Sequence, residues 1–284
     1  MAKNIPPIIH ASELVKLYQS KNLVIADVSV GKNAKQLYEE KHLDGALFVD
    51  MDTQLADIKD NAANGGRHPL PSIEKFAETL CLLGIDADSH VVVYDDKNGS
   101  NAAARFWWML RAAGHKKVQL LNGGLPEAAK AGFPVNNTPV TPRKVAVYPI
   151  TQWLLPLSNI DEVEKVAQED DHIVIDVRSN ERYRGAHEPI DTVAGHIPGA
   201  INVPFTENLD ADGLFLSPEE LKIKYQALFG DLHKENIIVH CGSGVTACHT
   251  LLAIDHAGLA IPKLYVGSWS EWSRQDKPIA TTEK

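Results

Sequence analysis

Cys241 stands between two segments of opposite character. Before it, Asn236-Ile-Ile-Val-His240 is a short β-branched apolar run. After it come the turn Gly242-Ser-Gly-Val-Thr246 and the apolar-periodic Ala247-Cys-His-Thr-Leu-Leu-Ala253. That order predicts a strand, a tight glycine loop and a helix start, which together aim several backbone N–H groups at one point. A thiol there feels those donors and the positive end of a helix, and both favour thiolate over thiol. The chemistry to expect is nucleophilic attack by sulfur. The other two cysteines read as small core residues: Cys248 shares a helix face with Leu251 and Leu252, and Cys81 sits in Thr79-Leu-Cys-Leu-Leu83.

Two arginines follow another apolar run, in Ile173-Val-Ile-Asp176-Val-Arg178-Ser-Asn-Glu-Arg182-Tyr183. Both can lie at the C-terminal edge of a sheet, where α/β folds bind ligands. A guanidinium fork suits a carboxylate geometrically. Arg178, with Asp176 and Glu181 close in sequence, reads as a structural ion pair; Arg182 reads as the anion binder. His240, Cys241, Cys248 and His249 do not follow a zinc-ligand spacing, so no metal is expected. No P-loop, no Gly-x-Gly-x-x-Gly after the first strand and no His-Glu-x-x-His is present, and no cofactor is expected.

The elements that must position these residues occur twice. Val24-Ile-Ala-Asp27 matches Ile173-Val-Ile-Asp176, and Lys41-His-Leu-Asp-Gly-Ala46 matches Gly195-His-Ile-Pro-Gly-Ala200. Ser72-Ile-Glu-Lys-Phe76 matches Ser217-Pro-Glu-Glu-Leu221, each a capped helix start, and Val91-Val-Val-Tyr94 matches Ile237-Ile-Val-His240. The offset is about 145–154 residues, one domain length. Apolar runs alternate with helical patterns in each half, the signature of βαβ units around a parallel sheet. The sequence therefore reads as two tandem α/β domains, residues 1–137 and 151–284, joined by a polar, proline-containing linker at 138–150. Cys241 falls opposite Asp95, so the first copy has kept the scaffold without the nucleophile. Arg105-Phe-Trp-Trp-Met-Leu110 reads as a buried or interface helix. Trp269 and Trp272 read as closing the second core near the active loop, and His42 and His196 as orienting their turns.

Composition narrows the partners. The 284 residues carry a net charge of −9, which argues against nucleic acid or an anionic membrane as partner. No apolar run approaches the ~18–20 residues of a membrane span, and Met1-Ala-Lys-Asn-Ile-Pro-Pro lacks the layout of a signal peptide. With three cysteines and no disulfide framework, the expected location is cytoplasmic. A small anionic substrate requires a locally basic pocket, which is where the arginines matter.

On these motifs the chain resembles the two-domain rhodanese family of sulfurtransferases. Cys241-Gly-Ser-Gly-Val-Thr-Ala is similar to the active loop of 3-mercaptopyruvate sulfurtransferases, whereas thiosulfate enzymes usually carry basic residues there. Gly195-His-Ile-Pro-Gly-Ala200 and Gly267-Ser-Trp-Ser-Glu-Trp272 resemble the family's other two signatures. The resemblance implies a ping-pong reaction: Cys241 takes the outer sulfur of a small anionic donor as a persulfide and passes it to a thiol, which can be thioredoxin-like, or to cyanide. It implies that Arg182 binds the donor's anionic group and that Gly242, Gly244, Val245 and Thr246 line the sulfur with Ser243. It further implies a proton relay of Ser243 with His68 and Asp52 from the first half.

One departure is visible. Mercaptopyruvate enzymes commonly carry a second substrate arginine in the acidic-proline stretch that here reads Glu188-Pro-Ile-Asp-Thr192, without a basic residue. A donor would lose one charge partner, for which Arg67 is a candidate replacement, and the choice between mercaptopyruvate and thiosulfate stays open. A cysteine phosphatase would need Arg at the end of a Cys-x5-Arg loop, where this chain has Ala247. A persulfide carrier delivering sulfur to a partner protein fits the same loop. The expected assembly is a monomer.

Overall fold

The computed structural model describes residues 5–282. Residues 1–4, part of the stretch read as lacking a signal peptide, and residues 283–284 lie outside the described residues. The chain forms two compact units, Met1–Leu55 with Pro71–Leu154 and Ala56–Leu70 with Leu155–Lys284.

The first unit carries β1 (Ile8–Ile9), β2 (Leu23–Asp27), β3 (His42–Leu43), β4 (Ala46–Phe48), β5 (His90–Tyr94), β6 (Val118–Leu121) and β7 (Val135–Asn136). Five of these form a parallel sheet in the order β1-β6-β5-β2-β4, and β3 pairs with β7 antiparallel. The second unit carries β8 (Leu157–Ser158), β9 (Ile173–Asp176), β10 (Ile201–Asn202), β11 (Ile237–His240) and β12 (Lys263–Tyr265), parallel in the order β10-β9-β11-β12-β8. Central strands of such sheets are covered on both faces and read as continuous apolar runs rather than alternating ones. Val91, Val92 and Val93 in β5 and Ile238 and Val239 in β11 are accordingly fully buried.

The duplication extends to register and caps. Asp27 of β2 pairs with Tyr94 of β5, and Asp176 of β9 pairs with His240 of β11. The residues that follow, Asp95 and Cys241, therefore leave equivalent strand ends. Ser72 Oγ accepts from Lys75 N at 3.2 Å and Ser217 Oγ from Glu220 N at 3.3 Å, each capping its helix. In the repeated turns, His42 stacks on Tyr38 at 4.2 Å and bonds its carbonyl through Nδ1 at 2.7 Å. His196 does the same with Tyr183 at 3.8 and 2.8 Å. Both histidines are structural clamps.

Ile25, Val92, Leu121 and Phe133 centre the first core, and Val163, Ile238, Tyr265, Trp269 and Trp272 the second. The helix Ala103–Ala112 is buried almost throughout, and even Arg105 is enclosed, its Nη2 donating to Leu55 O at 3.1 Å.

The units divide differently from the boundaries read in the sequence. Residues 138–150 have no helix or strand and are largely exposed, but side-chain contacts anchor them to the first unit. Arg143 pairs with Asp86 at 2.9 Å and bonds Gly84 O, Val145 O accepts from Cys81 Sγ at 3.2 Å, and Tyr148 bonds His115 at 2.7 Å. Meanwhile Ala56–Leu70, from the first half, belongs with the second unit. Composition marks a proline-rich segment as irregular backbone, but only side-chain anchors decide which core it lies on.

Candidate active site

β11 ends at His240 and the helix Ala247–His256 begins six residues after Cys241, as the strand-loop-helix reading expects. The loop is held by the short helix Ser268–Trp272. Cys241 O accepts from Trp269 N at 3.0 Å and Gly242 O from Ser270 N at 2.8 Å, while Cys241 N donates to Ser268 Oγ at 3.2 Å. Ser268 sits at φ 54°, a strained backbone for a residue with a Cβ, and its hydroxyl also donates to Tyr265 O at 2.8 Å. The Gly-Ser-Trp-Ser signature is thus the brace of the cysteine loop. Gly244, at φ 71°, lies so close to strand β12's continuation that a Cβ would come within 2.5 Å of Val266 O. Cys241 is 2 % exposed, and Val245 and Ser243 are also buried, while Thr246 opens the helix as its N-cap residue. Cys248 is enclosed in the helix, its Sγ donating to Gly244 O at 3.4 Å.

The segment Ala56–Leu70 brings two more side chains to this loop. Gly65 N donates to Glu271 at 2.9 Å and Arg67 N to Ser270 Oγ at 3.0 Å. Gly66 is essential to the approach, because a Cβ there would lie 2.4 Å from Gly267 O. His68 Nδ1 consequently reaches Ser243 Oγ at 2.8 Å. Of the expected relay, His68 and Ser243 meet within one unit. Asp52 belongs to the first unit, in the short helix Met51–Gln54, where burial and then Asp50 raise its carboxyl above the usual range.

The arginines form a network. Arg178 is buried, bonds both carboxylate oxygens of Asp176 as well as Glu188 and Gly195 O, and lies over the Trp269 ring at 4.7 Å. Its acid partners are Asp176 and Glu188 rather than the expected Glu181. Burial works against ionising Asp176, but His240 and Arg178 outweigh it and hold its carboxyl low. For Arg178 burial is likewise overcome by Asp176, Glu188 and Cys241, which raise its pKa. Arg182 bonds Glu188 at 2.7 and 3.0 Å and Asp191 at 3.3 Å.

Asp191 has a fully buried carboxylate with three arginine partners: Arg182, Arg274 at 2.8 Å, and Arg67. The stretch that lacks its own basic residue therefore recruits arginines from elsewhere in the chain. Four guanidinium groups, of Arg67, Arg178, Arg182 and Arg274, face three carboxylates, of Asp176, Glu188 and Asp191. A Cβ on Gly242 would lie 3.2 Å from Arg67 Nη2 and 3.4 Å from Arg182 Nη2, so both forks overhang the cysteine loop. Two half-buried guanidinium forks around one glycine place positive charge next to the cysteine loop. Ser268 and Ser270 lie in the signature read in the sequence, but their bracing contacts, Arg274 and the pairing role of Asp191 carry no sequence signal, because each acts through a contact distant in the chain.

Comparison with known proteins places this geometry. The Rhodanese-like domain family matches residues 10–131 and 159–275. A probable 3-mercaptopyruvate sulfurtransferase of Pseudomonas aeruginosa is 40% identical over 87% of this chain and 86% of its own length. The thiosulfate sulfurtransferase of Mus musculus is 39% identical over 87% of this chain and 82% of its own. The solved 3-mercaptopyruvate sulfurtransferase from Leishmania major superposes with a TM-score of 0.81 at 29% identity, covering 94% of this chain and 74% of that one. The chain belongs to the rhodanese family, carries its domain twice, and is a sulfurtransferase.

Proposed function

We propose that the chain transfers sulfur from 3-mercaptopyruvate through a persulfide on Cys241. The observation that carries this choice of donor is the 2.8 Å contact of His68 with Ser243 in a loop free of basic side chains. The Cys241 thiolate attacks the donor sulfur, a Cys–S–SH bond forms, and the donor's C–S bond breaks to leave the enolate of pyruvate. That carbanion needs a proton. The proton on the outer sulfur can reach it through the Ser243 hydroxyl and the His68 imidazole, which leaves pyruvate and the persulfide anion. Thiosulfate would leave as sulfite with no proton moved, and has no use for the pair. The donor carboxylate sits between Arg182 and Arg67. The loop of Gly242, Ser243, Gly244, Val245 and Thr246 gives its backbone to the outer sulfur. The family resemblance adds Asp52 to this relay, as the carboxylate that would fix the imidazole's tautomer. Cyanide or a thiol, with a thioredoxin-like dithiol as the cellular candidate, then takes the sulfur as thiocyanate or a new persulfide and returns the thiolate. A monomer in a reducing compartment, the cytoplasm, suits a reaction that begins with a free thiol.

The test compares donors. With cyanide as acceptor, pyruvate release from 3-mercaptopyruvate should exceed sulfite release from thiosulfate in kcat/KM. Arg182→Ala and Arg67→Ala should each lower kcat/KM for mercaptopyruvate by about 10–100-fold, the loss of one charge-assisted pair. His68→Ala should lower kcat for mercaptopyruvate and spare thiosulfate. A preference for thiosulfate, or equal losses on both donors in His68→Ala, would overturn the assignment of the donor.

A further inference from the structure

The first unit has a mouth of its own. At the C-terminal ends of β2 and β5, where the second unit keeps its cysteine, a cavity of about 450 Å³ opens in the first. That size lies within the range of small-molecule sites, and the position is the one where parallel sheets take ligands. Asp95, at the place of Cys241, is committed to its own loop: its carboxylate accepts from the amides of Lys97, Gly99, Asn101 and Ala103 at 2.8–3.2 Å.

Asp27 is different. It is 4 % exposed, lines the cavity, and occupies the strand position of Asp176. Asp176 is neutralised by Arg178, two residues on; the residue two on from Asp27 is Ser29, which offers its amide at 3.0 Å and its hydroxyl but no charge. The Tyr94 hydroxyl also reaches Asp27, and among the described residues no cation pairs with it. The fold has kept a buried carboxylate and lost the built-in guanidinium that balanced its counterpart. Tyr38 and Tyr94 line the cavity with it. Apolar wall comes from Leu125 and from Leu37, which is 56 % exposed. At the opening stand the exposed Lys32, Lys41 and Lys97, none of them in an ion pair among the described residues, against one exposed acid of the lining, Asp96.

A buried acid, an apolar wall and a basic mouth together match one class of molecule. We propose that the first unit binds a free α-amino acid with an apolar side chain. Its ammonium group replaces the missing guanidinium beside Asp27, its side chain covers Leu37 and Leu125, and its carboxylate meets the lysines at the opening. This site is separate from the chemistry proposed for Cys241.

Isothermal titration of the full chain with L-leucine, L-methionine and L-phenylalanine tests the proposal, with isoamylamine and 4-methylpentanoate as leucine analogues that each lack one charge. At least one amino acid should bind at one per chain. For leucine each analogue should bind roughly 10-fold or more weakly, one charged contact being lost. Asp27→Asn should weaken binding by a similar factor. Leu37→Asp and Lys97→Glu, both at exposed positions, should weaken it several-fold without moving the thermal transition, so a poorly folding Asp27 variant does not leave the question open. Arg182→Ala should bind as the parent does. Binding of none of the three amino acids at about 10 mM, equal binding of leucine and its analogues, full affinity in both surface variants, or loss in Arg182→Ala would overturn it.

Discussion

The loops after β5 and β11 begin from the same strand register and end in different chemistry. After β11, Cys241 is braced from outside, by Ser268 at its amide and by Trp269 and Ser270 at the carbonyls of Cys241 and Gly242, with two arginine forks over the turn. After β5, Asp95 turns inward and four amides of its own loop close on its carboxylate. The carboxylates one strand over repeat the contrast. Asp176 is held low by His240 and Arg178 despite its burial, whereas burial raises Asp27, with which no cation of the described residues pairs. A duplicated fold thus preserves the geometry of an active edge without its chemistry. What makes the second edge reactive is the set of groups brought to the loop from elsewhere, more than the loop itself.

Moving the nucleophile is the strongest challenge to that view. A Cys241→Ser chain that also carries Asp95→Cys should lose sulfur transfer by about 10³-fold or more, as expected when a covalent nucleophile is removed. The new thiol should restore none of it, because the brace and the arginines do not surround it. Thiocyanate formation from mercaptopyruvate and cyanide is the readout, and recovered turnover would break the comparison.

The first loop makes a pH prediction of opposite sign to ordinary acid denaturation. Burial raises the Asp95 carboxyl to about 6, its amide bonds only partly offsetting the cost. The unfolded value is about 3.9. The folded state therefore holds this proton more tightly, and the stabilisation it brings is complete below about pH 4 and lost as pH rises through about 6, at most about 3 kcal/mol. Subtracting the unfolding free energy of Asp95→Asn from that of the parent should expose this decline across pH 4–6. A difference flat in pH would mean that the carboxylate is stabilised by its four amides as fully as by water.

A smaller effect should sharpen the role of the brace. Ser268→Ala removes one hydroxyl that accepts from Cys241 N and donates to Tyr265 O, and should lower kcat about 3–10-fold, the worth of one neutral hydrogen bond. The donor KM should hold. A raised KM with unchanged kcat would assign Ser268 to binding instead.

Much of the scaffold was legible because its signals are local. Apolar runs of four or five residues marked β2, β5, β9 and β11, serine caps marked two helix starts, and the glycine loop marked the turn at Cys241. The internal match even aligned Asp95 with Cys241, since register follows the strands. The anchoring of the segment 138–150 by Arg143 and Tyr148 was not legible, because nothing in a polar, proline-bearing stretch announces such contacts. Arg182 and Ser243 stood out through their neighbours in the chain, and Ser268 and Ser270 through the signature that holds them, whereas Arg274 did not.

The sequence alone determined the duplicated α/β scaffold, the nucleophile and the lack of an arginine in the stretch Glu188-Pro-Ile-Asp191, all of which depend on residues adjacent in the chain. Only the tertiary structure decided that Ala56–Leu70 belongs with the second unit, bringing His68 to Ser243 and Arg67 to Asp191. It alone, too, showed that no cation of the described residues pairs with Asp27 in its cavity. The reason is physical: propensity and patterning act over a few residues, whereas hydrogen bonds and ion pairs form between groups that the folded backbone brings together, whatever their distance along the chain.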